Sequence, residues 1–143
     1  MIVLDTTVLV YALGGEHPLR EPCQGLVAAV AEGRVEATTT LEVIQEFVHV
    51  RARRCDRADA AERGRELMGL LEPLLTPGEA ELALGLHLFE EHPPLGAFDA
   101  VLAAAAMLSG ADALVSADSA FGGVRGLTWV DPAGPQLRDL LTG

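Results

Sequence analysis

Four acidic residues stand out in this 143-residue chain because of where they fall relative to apolar runs: Asp5, Glu46, Asp99 and Asp118. Asp5 directly follows the short run Ile2-Val3-Leu4. Asp118 lies two residues beyond the segment Ala113 to Ser116, and Asp99 stands near the start of an apolar stretch, 97–108, in which it is the only charge. Glu46 sits within a helical pattern after a second apolar run. Carboxylates that converge repel one another unless they are protonated or hold a cation, so convergence of the four implies a metal. An all-oxygen ligand set selects a hard ion such as Mg²⁺ or Mn²⁺ over zinc. Such ions hold phosphate oxygens and activate water for in-line attack, which is the chemistry of phosphodiester hydrolysis.

Each acid also has an ordinary structural role open to it. Asp5 and Asp118 could cap or initiate turns, and Asp99 could favour a helix N-terminus through the backbone dipole. Glu42 competes with Glu46, since the two are four residues apart on one helical face. Thr39-x-x-Glu42 matches a capping box, which would give Glu42 a structural task and favours Glu46 for chemistry.

The elements that would position these acids can be read from periodicity. Short apolar runs at 2–4, 35–38, 113–116 and 127–130 read as strands. Helices are expected at Thr6-Thr7, from about Leu19 to Glu32, from Thr39 to Arg53 with Leu41, Ile44, Phe47 and Val48 on one face, from Asp59 to about Leu71, from Thr76-Pro77 to about Glu91, over 97–108, and as a turn after Pro135. Strands alternating with helices imply an α/β sandwich with a mainly parallel sheet, whose ligand site lies at the carboxyl ends of the strands where their order reverses. Asp5 and Asp118 would reach that crevice directly, and Asp99 from a helix N-terminus.

Composition bounds the answer. Half the residues are apolar, enough for one core, and a single domain over 1–143 is expected. No apolar stretch is long enough to span a membrane, no leader pattern is seen, and Cys23 and Cys55 form no CxxC pair, so a cytoplasmic protein without zinc or a disulfide framework is expected. The chain has no lysine and no asparagine, which leaves a P-loop without its Lys. The net charge of −11 opposes nucleic-acid binding unless charge is redistributed. It is uneven: residues 51–65 hold six of the ten arginines against three acids, a local charge of +3. His17, His49, His87 and His92 have no mutual spacing that suggests a shared site, which disfavours a metal-free, histidine-based ribonuclease. Tyr11 and Trp129 are too few to form a base-stacking platform.

Ile-Val-Leu-Asp-Thr-Thr-Val-Leu at 2–9, Val-Ile-Gln-Glu-Phe-Val at 43–48, Phe98-Asp99-Ala100 and Leu-Val-Ser-Ala-Asp at 114–118 together resemble the four acidic motifs of PIN domains, specifically VapC toxins. The resemblance implies a PIN-like three-layer sandwich with the first strand central. It implies an endoribonuclease that uses Mg²⁺ or Mn²⁺ at Asp5, Glu46, Asp99 and Asp118, with Asp5 and Asp99 as direct ligands, and that leaves a 5′-phosphate and a 3′-hydroxyl. Thr7 and Ser116 would support the cluster. A homodimer and a cognate VapB-type antitoxin that blocks the site are also implied. Arg51, Arg53, Arg54 and Arg57 then become candidates for holding the RNA backbone through two-pronged guanidinium contacts, although a solvated helix face with local Arg–Glu pairs would look the same. Two alternatives stay open: a PIN nuclease of RNA processing or of DNA outside any toxin–antitoxin pair, and a catalytically silent PIN fold that binds protein. A small antitoxin gene beside this one would favour the toxin.

Overall fold

The computed structural model describes residues 1–142. Four short strands, β1 (Ile2–Leu4), β2 (Ala37–Thr38), β3 (Ala113–Val115) and β4 (Trp129–Val130), form one parallel sheet in the order β2-β1-β3-β4. The three-residue runs Ile-Val-Leu and Ala-Leu-Val are buried throughout, as expected of strands covered on both faces. β1 pairs with β2 on one side and β3 on the other, so strand order reverses between β1 and β3 and a crevice opens at their carboxyl ends. The Asp5 N–H donates to the Val115 carbonyl at 3.0 Å. That bond carries the β1–β3 ladder up to Asp5 and fixes its backbone at the crevice.

Seven helices flank the sheet: α1 (Thr6–Leu13), α2 (Arg20–Ala31), α3 (Leu41–Arg54), α4 (Arg57–Leu71), α5 (Glu79–Glu91), α6 (Ala97–Leu108) and α7 (Gln136–Thr142). None of the described helices is long and apolar enough to cross a membrane. Among them α1 packs against α2 and α3, α3 against α4, α5 against α6, α7 against α2, and α6 against β3. One apolar cluster joins the sheet to α1, α3 and α6 through Leu4, Leu9, Phe47, Ala103 and Leu114. Complete burial of side chains such as Leu9 and Phe47 contributes about 1.5–3 kcal/mol each relative to exposure, which holds these three helices, and the acids they carry, against the sheet.

The expected helices are present, with two corrections at α3. Its N-cap is Thr40, whose hydroxyl accepts from Val43 N at 3.2 Å, rather than Thr39. Thr39 is fully buried and donates to the Leu4 carbonyl at 2.6 Å. The capping box with Glu42 therefore does not form, and Glu42 is a first-turn residue facing solvent. Leu41, expected on the inner face, is about half exposed, whereas Val43 is buried beside Ile44 and Phe47. At α5 the cap is Gly78, whose N–H donates to Glu81 at 2.9 Å, two residues after the expected Thr76 start.

Close approach of α5 to α6 depends on Gly85. A Cβ there would stand 2.8 Å from Val101 Cγ2 and 3.0 Å from its Cα, and backbone cannot move aside as a side-chain tip can. Gly85→Ala is expected to destabilise the fold by about 1–3 kcal/mol despite its better helix propensity. Urea unfolding would read this as a lower midpoint, and an unchanged or higher one would show that the helices separate without penalty.

Candidate active site

Asp5 is 5% exposed and its Oδ2 accepts two hydroxyls, Ser116 Oγ at 2.6 Å and Thr7 Oγ1 at 3.0 Å. Each hydroxyl has a single proton, and each in turn accepts a backbone N–H: Ser116 Oγ from Asp118 at 3.0 Å, Thr7 Oγ1 from Ala117 at 3.0 Å. With both protons directed at Asp5, the 3.4 Å approach of the two hydroxyls to each other adds little. The residues just after β1 and just after β3 are thus laced together around one carboxylate. Trp129 donates from Nε1 to the Ser116 carbonyl at 2.9 Å, which ties the arrangement to β4. Among the described residues Asp5 Oδ1 accepts no hydrogen bond.

Asp99 occupies the first turn of α6. It forms no hydrogen bond or ion pair among the described residues, and its carboxyl is pushed up to about 6, first by burial and then by the charges of Asp5, Asp118 and Glu46. The favourable dipole of a helix N-terminus is outweighed here. The Glu46 carboxyl is also raised, by burial and then by Asp5, with the nearby Thr6 hydroxyl and His49 holding the rise back. Thr6 itself is buried, and its hydroxyl has no hydrogen-bond partner of good geometry.

Asp5, Glu46 and Asp99 line one cleft of about 560 Å³ between α3 and the α5–α6 pair, with Glu42 in the same wall. Asp118 lies outside the cleft lining. It is exposed, it caps a 3₁₀ turn at Ser119–Gly123 by accepting Ala120 N at 2.9 Å on Oδ1, and its charge still reaches Asp99. The mutual charge effects bring the four acids into one field, with three at the cleft and the fourth beside it.

The donor set suits a hard divalent cation. Among the described residues, Asp5 Oδ1 and the Asp99 carboxylate accept no hydrogen bond, the Thr6 hydroxyl has no partner of good geometry, and no arginine pairs with any of the four acids. Among the described residues no three acidic, histidine or cysteine side chains close into a ready-made cage. An open set of this kind fits Mg²⁺, which keeps several waters and is commonly bound through one or two carboxylates.

The arginines divide. Arg51 is held within the fold, donating from Nε to Asp59 at 2.7 Å and from a terminal nitrogen to the Leu13 carbonyl at 2.6 Å, and so fastens the ends of α1, α3 and α4 together. This pair keeps the Asp59 carboxyl below its ordinary range. Arg63 pairs with Glu66 and Arg65 with Glu62. Arg53, Arg54 and Arg57 are exposed and make no ion pair among the described residues. The histidines are not all remote from the site. His49 lines the acid cleft three residues from Glu46, whereas His17 stacks on Tyr11 and His87 pairs with Glu91.

The sequence pattern of the PIN domain matches residues 2–127. The chain is 58% identical over 142 residues to Ribonuclease VapC7 of Mycobacterium tuberculosis (strain ATCC 25618 / H37Rv), covering 99% of this chain and 98% of that protein. Two solved structures share the fold: a toxin-antitoxin complex from Klebsiella pneumoniae, with a TM-score of 0.70 and 19% identity, and VapBC2 from Rickettsia felis bound to a DNA fragment from its promoter, with a TM-score of 0.71 and 17% identity. Each alignment covers 92% of this chain and 98% of the matched one. The chain belongs to the PIN-domain family and, within it, to the VapC ribonucleases.

Proposed function

We propose that this chain is the toxin of a type II toxin–antitoxin pair, a Mg²⁺- or Mn²⁺-dependent endoribonuclease whose hydrolytic centre is Asp5, Glu46, Asp99 and Asp118. The observation that carries this reading is the cleft that Asp5, Glu46 and Asp99 line with no ion-pair partner among the described residues, while Thr7 and Ser116 pin one oxygen of Asp5 and leave the other free. A bound divalent cation would supply charge neutralisation to the phosphate and a more acidic water for in-line attack. Asp5 and Asp99 would hold it. The chain's own part is orientation. Asp5 cannot rotate without breaking two hydroxyl bonds, Glu46 faces it from α3, and Asp118 adds negative charge at the edge while its Oδ1 keeps the loop in place. Arg53, Arg54 and Arg57 are available to RNA phosphates outside the cleft, whereas Arg51 acts through the position of α3.

Partners follow from the same reading. A VapB-type antitoxin is supported by the toxin–antitoxin assemblies that share the fold. Exposed Leu86 and Phe89 on α5 offer apolar surface for a homodimer. Free thiols at Cys23 and Cys55 suit the reducing cytoplasm.

Purified, partner-free protein incubated with total cellular RNA is expected to give discrete fragments with 5′-phosphates in Mg²⁺ or Mn²⁺ and none in EDTA. Intact RNA under every metal condition would overturn the nuclease assignment. Ser116→Ala removes one of the two hydroxyls on Asp5 and is expected to raise the Mg²⁺ concentration for half-maximal cleavage by about 10–100-fold. An unchanged Mg²⁺ requirement would reduce Ser116 to a loop support.

A further inference from the structure

Phe98 is 85% exposed at the rim of the acid cleft, one residue from Asp99. An aromatic ring left in water beside a reacting centre is an apolar surface that nothing in the fold covers. The same cleft is lined by Pro77, Leu82 and Val101, and by His49 and Gln45 of α3. Among the described residues no arginine lines this cleft, and the acids make it repulsive to phosphate groups other than the one neutralised at the reacting centre. The portion of a nucleotide that fits a phosphate-repelling recess edged by an aromatic ring is therefore its base.

We infer that Phe98 and His49 contribute to a nucleobase subsite, which holds an unstacked base flanking the scissile phosphate and makes Phe98 a substrate-binding residue. The inference rests on the ribonuclease reading above. A phosphodiester at the reacting centre beside Asp5 and Asp99 brings its neighbouring nucleoside to the same cleft. A base can present its face to Phe98 only when it is out of a helix, so the substrate class is single-stranded RNA or a loop. The Gln45 amide offers both a donor and an acceptor to the base edge.

The test uses single-stranded RNA oligonucleotides, unmodified for kinetics and carrying 2-aminopurine at successive positions for fluorescence. Binding is read in an Asp5→Asn background, so that the RNA stays intact. Phe98→Ala is expected to raise KM by about tenfold or more, the scale of one lost base stack, with kcat nearly unchanged, and to abolish the 2-aminopurine quenching seen at one position. Phe98→Trp is expected to restore both, which a merely structural role would not predict. Cleavage by Phe98→Ala with the original KM and undiminished quenching would overturn the subsite while leaving the nuclease intact. Normal RNA binding by Phe98→Ala together with loss of self-association or of complex formation with a protein partner would likewise overturn it and assign the ring to a protein interface. If the unsubstituted protein neither cleaves nor binds RNA, the nuclease reading itself fails and takes the subsite with it.

Discussion

Asp5→Asn is expected to lower RNA cleavage by about a thousandfold or more, equivalent to about 4 kcal/mol of transition-state stabilisation, without unfolding the protein. Asparagine is the informative substitution because its amide oxygen can still accept the Ser116 and Thr7 hydroxyls that meet at Oδ2. The hydrogen-bond lattice joining β1 to β3 is then kept, and what disappears is the negative charge and the free Oδ1. Alanine would confound the two, since it strands both hydroxyls in a buried site, where an unsatisfied polar group costs about 1–3 kcal/mol. Cleavage rates with Mg²⁺, together with urea midpoints for the same samples, separate the effects. A variant that retains more than a tenth of the activity would move the metal-holding role from Asp5 to other residues.

The parts of this site that could be read in the sequence are those set by local pattern. Asp5 follows an apolar run expected to form a buried strand, and the strand lies at Ile2–Leu4. The helix expected over 97–108 has those limits, because strong helix formers, chiefly Ala and Leu, make up most of it and Gly110 follows in the left-handed region at φ 73°. What the pattern could not supply was partners distant in the chain. Three consecutive threonines, Thr38 to Thr40, offer equivalent hydroxyls to any capping rule. The choice among them depends on β1 lying where Thr39 can reach the Leu4 carbonyl, which leaves Thr40 to cap α3.

Preference for Glu46 over Glu42 consequently rests on different ground from the capping box. Glu42 and Glu46 both line the cleft, but it is Glu46 that feels the charge of Asp5 and the neighbourhood of Thr6 and His49. The arginines of 51–65 form a basic segment in the sequence, yet the Leu13 carbonyl and Asp59 claim one of them through contacts distant in the chain. Spacing among the histidines held no signal, because His49 gains its position from the side of α3 it shares with Glu46. The i to i+3 relation to a suspected catalytic acid was the available clue.

Asp99→Asn is expected to stabilise the metal-free protein at neutral pH while it inactivates the enzyme. In the folded chain the Asp99 carboxyl titrates near 6 instead of 3.8, driven by burial and by Asp5, Asp118 and Glu46. Because the folded state holds the proton more tightly than the unfolded state, the favourable contribution is complete below about pH 4 and is lost as pH rises through 6. Above that, the ionised carboxylate opposes folding by up to about 3 kcal/mol, less in proportion to its solvent contact. Asparagine removes the charge and with it the pH dependence. Glu46, shifted in the same direction, leaves a smaller residue of that dependence in the variant. Urea unfolding in EDTA should therefore place the variant above the parent at pH 7.5, with the two converging near pH 4. Added Mg²⁺ should stabilise the parent by mass action and the variant far less. A variant no more stable than the parent at pH 7.5 would mean that the four acids do not strain one another, and the case for a cation at the cleft would lose its electrostatic basis.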